Sequence, residues 1–136
     1  MKVAFATVDG LHVNAHFGWA KMISVYEVTQ DECHRVTDYE FAGNLSEDGN
    51  EDKLGPKLDA IQDCAILYVA AIGGSGAARV VAKNIHPVKV AETEAIDGIL
   101  LRLQDVLRRT PPPWLRKALN KDKERTFDFE DEVAHG

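Results

Sequence analysis

Two histidines carry the most suggestive chemistry in this chain. His12 and His16 lie four residues apart in Asp9-Gly10-Leu11-His12-Val13-Asn14-Ala15-His16-Phe17-Gly18-Trp19-Ala20. Imidazole is the side chain most often offered to metals. Around His16 the neighbours Ala15, Gly18 and Ala20 are small, and glycine permits close backbone approach. A neutral His16 is able to bind a transition metal through one ring nitrogen while a hydrogen-bond acceptor holds the other. A histidine that only hydrogen-bonds within its own turn is the plainer reading, and spacing alone favours it. On a helix the four-residue spacing would put both rings on one face. Asp9-Gly10 and Val13-Asn14 argue instead for a loop. His12 is therefore expected to be an exposed neighbour, with a lesser claim as a second ligand.

The second constellation is Gly73-Gly74-Ser75-Gly76-Ala77-Ala78-Arg79, between an apolar strand-like run and a helix-like one. Free amides at a helix start, with the helix dipole, favour anions. Three glycines would let a ligand approach the backbone, with Arg79 about one turn into a helix beginning at Ala77. The run lacks the Gly-Lys-Ser/Thr of a phosphate-binding loop and does not fit G-x-G-x-x-G. A tight strand-to-helix turn explains it equally well. Other candidates are weaker. Cys33 and Cys64 form no CxxC pair and cannot supply the four thiolates that usually hold an iron–sulfur cluster. Cys64 reads as a packed core thiol, and Cys33 and His34, adjacent on a strand, point to opposite faces. His86 before Pro87 reads as a helix-end residue whose imidazolium suits the dipole. Asp9 alone does not make a metal-dependent nuclease, which needs several converging acids.

These residues need elements to hold them. Lys2–Val8 reads as a short, central apolar strand. Met22–Thr29 and Cys33–Phe41 read as two more strands joined by a short connector, completing an antiparallel meander. The acidic stretch over 43–52 reads as a loop. Lys53–Asp63, with Leu54, Leu58 and Ile61 at helical spacing, reads as a helix with Pro56 in its first turn. The uncharged run Ala65–Ile72 is a buried strand, Ala77–Ile85 a helix and Val88–Glu92 a strand. Ala95–Arg109 is the clearest helix, its apolar positions at i, i+3, i+4, i+7 and i+11. A βα alternation of this kind places its strands parallel. If the first and fourth strands are neighbours, the histidine loop and the glycine turn share one rim, at the carboxyl ends where ligands bind. The expected organisation is an α/β domain over 1–109, then a Pro-rich neck and charged, weakly ordered tail over 110–136.

Composition narrows the function. A chain of 136 residues with 45% apolar content has room for one real core. Its net charge of −6, from 22 acids against 16 Lys plus Arg, argues against a nucleic-acid partner. No apolar run reaches the roughly 18 residues that would span a membrane, and no signal-peptide pattern opens the chain. A cytoplasmic, non-membrane protein, monomeric as a working expectation, is implied.

The strand VAFATVDG, the HFG element, AILYVAAIGGSGAARVV, NIHPVKV and the tail TPPPWLRKAL occur in this order. Over roughly residues 1–120 the set closely resembles the dinitrogenase iron–molybdenum cofactor biosynthesis family. The resemblance implies a ribonuclease-H-like three-layer α/β/α fold with a mixed five-stranded sheet and no enzymatic activity. It implies transient binding of the iron–molybdenum cofactor or its iron–sulfur precursor, the NifB product. The implied partners are the cluster synthase and scaffold of cofactor assembly. A histidine of this loop is the implied cluster ligand, which carries over to His16. The Gly73–Gly76 and Arg79 cradle is a physical addition to that, not a family property. Two functions remain in play: a cluster carrier, or a regulatory interaction protein of nitrogenase maturation that works through its C-terminal tail.

Overall fold

A computed structural model of the chain describes residues 1–41, 54–91 and 94–121. In chain order the elements are β1 (Lys2–Thr7), β2 (His12–Val13), β3 (Met22–Val28), β4 (Cys33–Glu40), α1 (Gly55–Ala60), β5 (Ile66–Val69), α2 (Gly74–Ala82), β6 (His86–Lys89), β7 (Glu94–Ala95) and α3 (Ile96–Arg108). Residues 113–121 form a further helical stretch, α4. Five strands make one mixed sheet in the order β4-β3-β1-β5-β6. The β1/β3 and β3/β4 pairs are antiparallel, and β1/β5 and β5/β6 are parallel. The expected meander followed by βα units is therefore present, with β1 at the centre. A two-stranded ladder, β2 against β7, lies apart from the sheet.

Alternation along the strands divides the core into two layers. Val3 and Phe5 of β1, Tyr26 and Val28 of β3, and Ile66 and Tyr68 of β5 pack against Ile96, Ile99, Leu100 and Leu103 of α3. Ala4 and Ala6, Ile23 and Val25, and Leu67 and Val69 face the other way, toward Leu58 of α1 and Val80 of α2. Phe5 stacks on Tyr68 at 5.2 Å and meets Tyr26 edge-on at 5.5 Å, arrangements that suit the ring quadrupole. Two helix layers thus cover the central strands β1, β3 and β5 on both sides, while the edge strand β4 stays exposed.

Among the boundaries that differ from the sequence expectation, three stand out. Helix α2 starts at Gly74 rather than Ala77, because the Ala77 amide donates to the Gly73 carbonyl at 2.9 Å and closes the first turn across the glycines. Strand β6 starts at His86, so His86 is not a helix-end residue. Parallel pairing of Ile66 with His86 and Leu67 with Pro87 draws the HP dipeptide into the sheet's edge strand, where a proline is tolerated. Strand β5 is shorter than Ala65–Ile72 and continues as an isolated bridge at Ala71.

The segment after α3 packs on the same core. The Pro112 carbonyl accepts from the amides of Leu115 and Arg116 at 3.0 Å each. Leu115 is fully buried and Ala118 nearly so, within the α3 layer. Residues of α4 thus share the core layer of α3. The acidic loop, the start of the expected first helix and the charged 122–136 tail lie outside the described residues. Among those described, no helix is long and apolar enough to cross a membrane.

Candidate functional site

Strands β1 and β5 run side by side and parallel, so the segments that follow them emerge at one rim. The chain after β2 then runs along the end of β5. The Ala70 amide donates to the Ala15 carbonyl at 3.1 Å, the Phe17 amide donates to the Ala71 carbonyl at 2.9 Å, and His16 bridges Ala71 in parallel register. This register sets His16 beside Ile72 and Gly73. Phe17–Trp19 forms one 3₁₀ turn with His16 as its N-cap, and Phe17 is buried in the α1/α2 layer as its anchor.

A recess of about 210 Å³ opens there, lined by His16, Phe17, Gly18, Trp19, Leu54, Ile72, Gly73 and Gly76. It is smaller than the roughly 300–1,000 Å³ of an enclosing ligand pocket. Trp19 stands 64% exposed at this recess. A larger recess, about 380 Å³, lies at the opposite end of β5 and β6, among Ala65, His86, Trp114 and Lys117. There His86 stacks on Trp114 at 4.4 Å. Burial first, then the Lys117 charge, pushes the His86 pKa down, so its ring is biased toward neutrality. That end carries none of the residues singled out for binding.

The His16 ring is held by its own turn. The Gly18 amide donates to His16 Nδ1 at 3.0 Å. A backbone amide can only donate, so Nδ1 is the acceptor and the neutral ring carries its hydrogen on Nε2. The sequence expectation that an acceptor would hold the second nitrogen is thus corrected. The plainer reading, a turn-capping histidine, is present, and it leaves Nε2 as the nitrogen not engaged by Gly18. A Cβ at Gly18 would lie 3.3 Å from His16 Cε1 and 3.4 Å from Nδ1. A side chain at 18 would press on the ring, which would have to give by a few tenths of an ångström.

The glycine turn splits in two. Gly73 is the N-cap of α2, in extended geometry, and no side chain caps the helix or places an acid in its first turn. Gly73 and Gly76 line the recess; Gly74 and Ser75 do not. A Cβ at Gly76 would meet Ile72 at 3.3 Å and Leu54 at 3.6 Å, whereas Gly73 and Gly74 face open space. Arg79 belongs to the last turn of α2 rather than the first and does not line the recess. The earlier helix start moves it away from the helix's amide end.

His12 is also elsewhere. It sits in the β2/β7 ladder, its Nδ1 2.8 Å from Asp9 Oδ2. Asp9 Oδ1 accepts from the Leu11 and His12 amides at 2.9 Å each. The His12 ring first, then these amides, hold the Asp9 carboxyl well below the usual carboxylate range. This pair closes the loop and does not line the recess. Cys64 is fully buried in the core and Cys33 is exposed on the edge strand. Among the described residues, no group of three or more His, Cys, Asp or Glu is placed to hold a metal ion.

One residue at the site had not been singled out. Lys57 of α1 is 1% exposed, and its Nζ donates to the Gly18 carbonyl at 3.0 Å. The ammonium also lies 5.5 Å from the centre of the Phe41 ring, within cation–π range. Its signal was present in the pattern. Leu54, Lys57, Leu58 and Ile61 follow i, i+3, i+4 and i+7, so Lys57 occupies the apolar stripe of its helix.

Residues 1–106 match the family model described as dinitrogenase iron-molybdenum cofactor. The chain is 61% identical over 133 residues to Protein NifX of Herbaspirillum seropedicae, covering 98% of this chain and 91% of that protein. It is 42% identical over 139 residues to Protein NifX of Sinorhizobium fredii, covering 96% and 87%. In fold it is similar to the crystal structure of PH0822, with a TM-score of 0.59 at 19% identity, covering 77% of this chain and 89% of that one.

Proposed function

The chain belongs to the dinitrogenase iron-molybdenum cofactor family, and we propose that it is a carrier of the iron–molybdenum cofactor or of its NifB-type iron–sulfur precursor during cofactor assembly. Membership places the protein in cofactor biosynthesis; it is not an enzyme. Carriage is the finer reading. The observation that carries it is His16 at the mouth of an open recess, its ring fixed by Gly18 and its Nε2 left for cargo.

In this reading His16 meets the cluster through Nε2, first as an N–H donor to a sulfide or carboxylate. Direct ligation of a metal by Nε2 would need its proton to move to Nδ1, which means giving up the bond from the Gly18 amide. Gly73 and Gly76, which line the recess at the positive end of the α2 dipole, bring backbone close to an anionic cluster. That local field offsets the overall charge of −6. Gly74, Ser75, Arg79 and His12, which do not line the recess, have at most an outer role. Few protein contacts and an open recess suit a cargo that must leave again. The strand order β4-β3-β1-β5-β6, a meander followed by βα units, supports reading the scaffold as ribonuclease-H-like. The partners are the cluster synthase that donates and the scaffold that receives, and the protein works as a cytoplasmic monomer.

The test is anaerobic mixing of wild type and His16→Ala with the isolated cofactor, then gel filtration with iron quantification. Iron should co-elute with wild type and be lost from the variant. Equal retention by both would remove His16 from the site. Retention by neither would overturn carriage and favour the interaction-protein reading.

A further inference from the structure

We propose that Lys57 is a positioning residue for cargo binding, acting on His16 through Gly18; this rests on the carrier reading above. Both backbone groups of Gly18 are committed. Its amide caps His16 Nδ1 at 3.0 Å, and its carbonyl accepts from Lys57 Nζ at 3.0 Å. Lys57 belongs to a different element from the histidine loop, 39 residues along the chain. It therefore ties the 3₁₀ turn to α1, which also contributes Leu54, at its N-cap, to the recess. A buried ammonium is costly to place unless hydrogen-bonded. A charged donor also makes a stronger bond to a carbonyl than a neutral one.

The consequence concerns which face the imidazole shows. The carbonyl that Lys57 holds belongs to the Gly18–Trp19 peptide, and orientation of the preceding peptide, Phe17–Gly18, decides whether the Gly18 N–H points at Nδ1. While it does, the neutral ring is held as the Nε2–H form, with Nε2 as the nitrogen left for cargo. Releasing that carbonyl loosens the Gly18–Trp19 peptide and with it the glycine hinge, so the preceding N–H is no longer kept aimed at Nδ1. The ring then exchanges between tautomers and orientations, and the fraction able to meet cargo falls. Apparent affinity scales with that fraction. Lys57 thus sets the readiness of His16 without touching it.

The experiment pairs ¹⁵N NMR of the His16 ring in cargo-free protein with anaerobic binding of a synthetic thiolate-ligated [4Fe–4S] cluster. The proteins are wild type, Lys57→Met and Lys57→Arg, with Lys57→Gln carrying the same test should the methionine variant not fold. Wild type should show the Nε2–H pattern. Lys57→Met should shift the ring nitrogens toward averaged values and weaken cluster binding at least fivefold. Lys57→Arg should restore both to within about twofold. Unchanged His16 resonances in the methionine or glutamine variant, even with weaker binding, would overturn the proposal, since a merely structural or long-range charge effect leaves the tautomer alone. Shifted resonances with a wild type that binds no cluster would refute carriage while leaving the Lys57–His16 coupling standing.

Discussion

Gly18→Ala separates binding from stability at this site. The added methyl would lie 3.3 Å from His16 Cε1 and 3.4 Å from Nδ1, with Leu54 Cδ2 next at 4.0 Å. Ordinary contact begins a few tenths of an ångström farther out, so the ring has to yield. The backbone is no obstacle, because Gly10 is the glycine with positive φ among the described residues and Gly18 is not. Replacing glycine at a compatible position gains about 0.4–1 kcal/mol by restricting the unfolded chain. In cargo-free protein the half-buried ring is able to swing aside, so the net change in stability should be within about 1 kcal/mol. In the loaded state the ring is pinned between cargo and turn, and the overpacking cost of roughly 1–3 kcal/mol falls on binding. That is a loss of about 5- to 150-fold in affinity. Urea denaturation and anaerobic cluster titration on the same preparations give both numbers. Wild-type affinity in a folded Gly18→Ala protein would refute the idea that a fixed His16 ring receives the cargo.

Other perturbations have definite outcomes. Gly73→Ala meets nothing in the folded chain yet lines the recess, so its stability should hold while cluster retention falls. Gly74→Ala, which faces open space outside the recess, should leave retention within about twofold of wild type, an error-scale difference of roughly 0.4 kcal/mol. Leu115→Ala, at a fully buried position in the α3 layer, should cost about 2–5 kcal/mol. That lowers Tm by on the order of 10 °C or more; a shift under about 2 °C, less than 1 kcal/mol on that scale, would detach α4 from the core. For His86 the folded pKa is pushed below the unfolded value of 6.5. The unfolded chain then binds more protons between those two values, so stability is full above about pH 6.5 and declines as pH falls through the folded pKa. His86→Gln should flatten that decline in urea midpoints measured from pH 7.5 to 5. An unchanged slope would remove His86 as its source.

Much of the scaffold was legible because burial leaves periodic marks. Val3 and Phe5 against Ala4 and Ala6, and the stripe Ile96, Ile99, Leu100, Leu103, follow the sheet and helix periods directly. The start of α2 was not, because glycines carry no apolar pattern; only the Ala77-to-Gly73 hydrogen bond shows that the helix begins at Gly74. His86 was misplaced for a related reason. An HP dipeptide reads as punctuation, and only pairing with β5 makes it a strand. At the site, the proximity of His16 to Gly73 followed from β1 and β5 being parallel neighbours. The direction of the Gly18 amide, which decides the tautomer, is a backbone property that no side-chain pattern records. Lys57 sits on the apolar stripe of its helix, yet its type alone points to solvent, where lysines ordinarily lie.

Carriage requires release as well as capture, and cluster transfer tests both. Wild type and His16→Ala would be loaded anaerobically with the isolated iron–molybdenum cofactor, freed of excess by gel filtration, and mixed with cofactor-deficient dinitrogenase. Iron and molybdenum would then be counted on each protein over time. Wild type should arrive loaded and hand its metal to the acceptor, while His16→Ala should carry none into the mixture. Metal that stays on the wild-type protein, or equal transfer from both, would contradict a His16-dependent carrier.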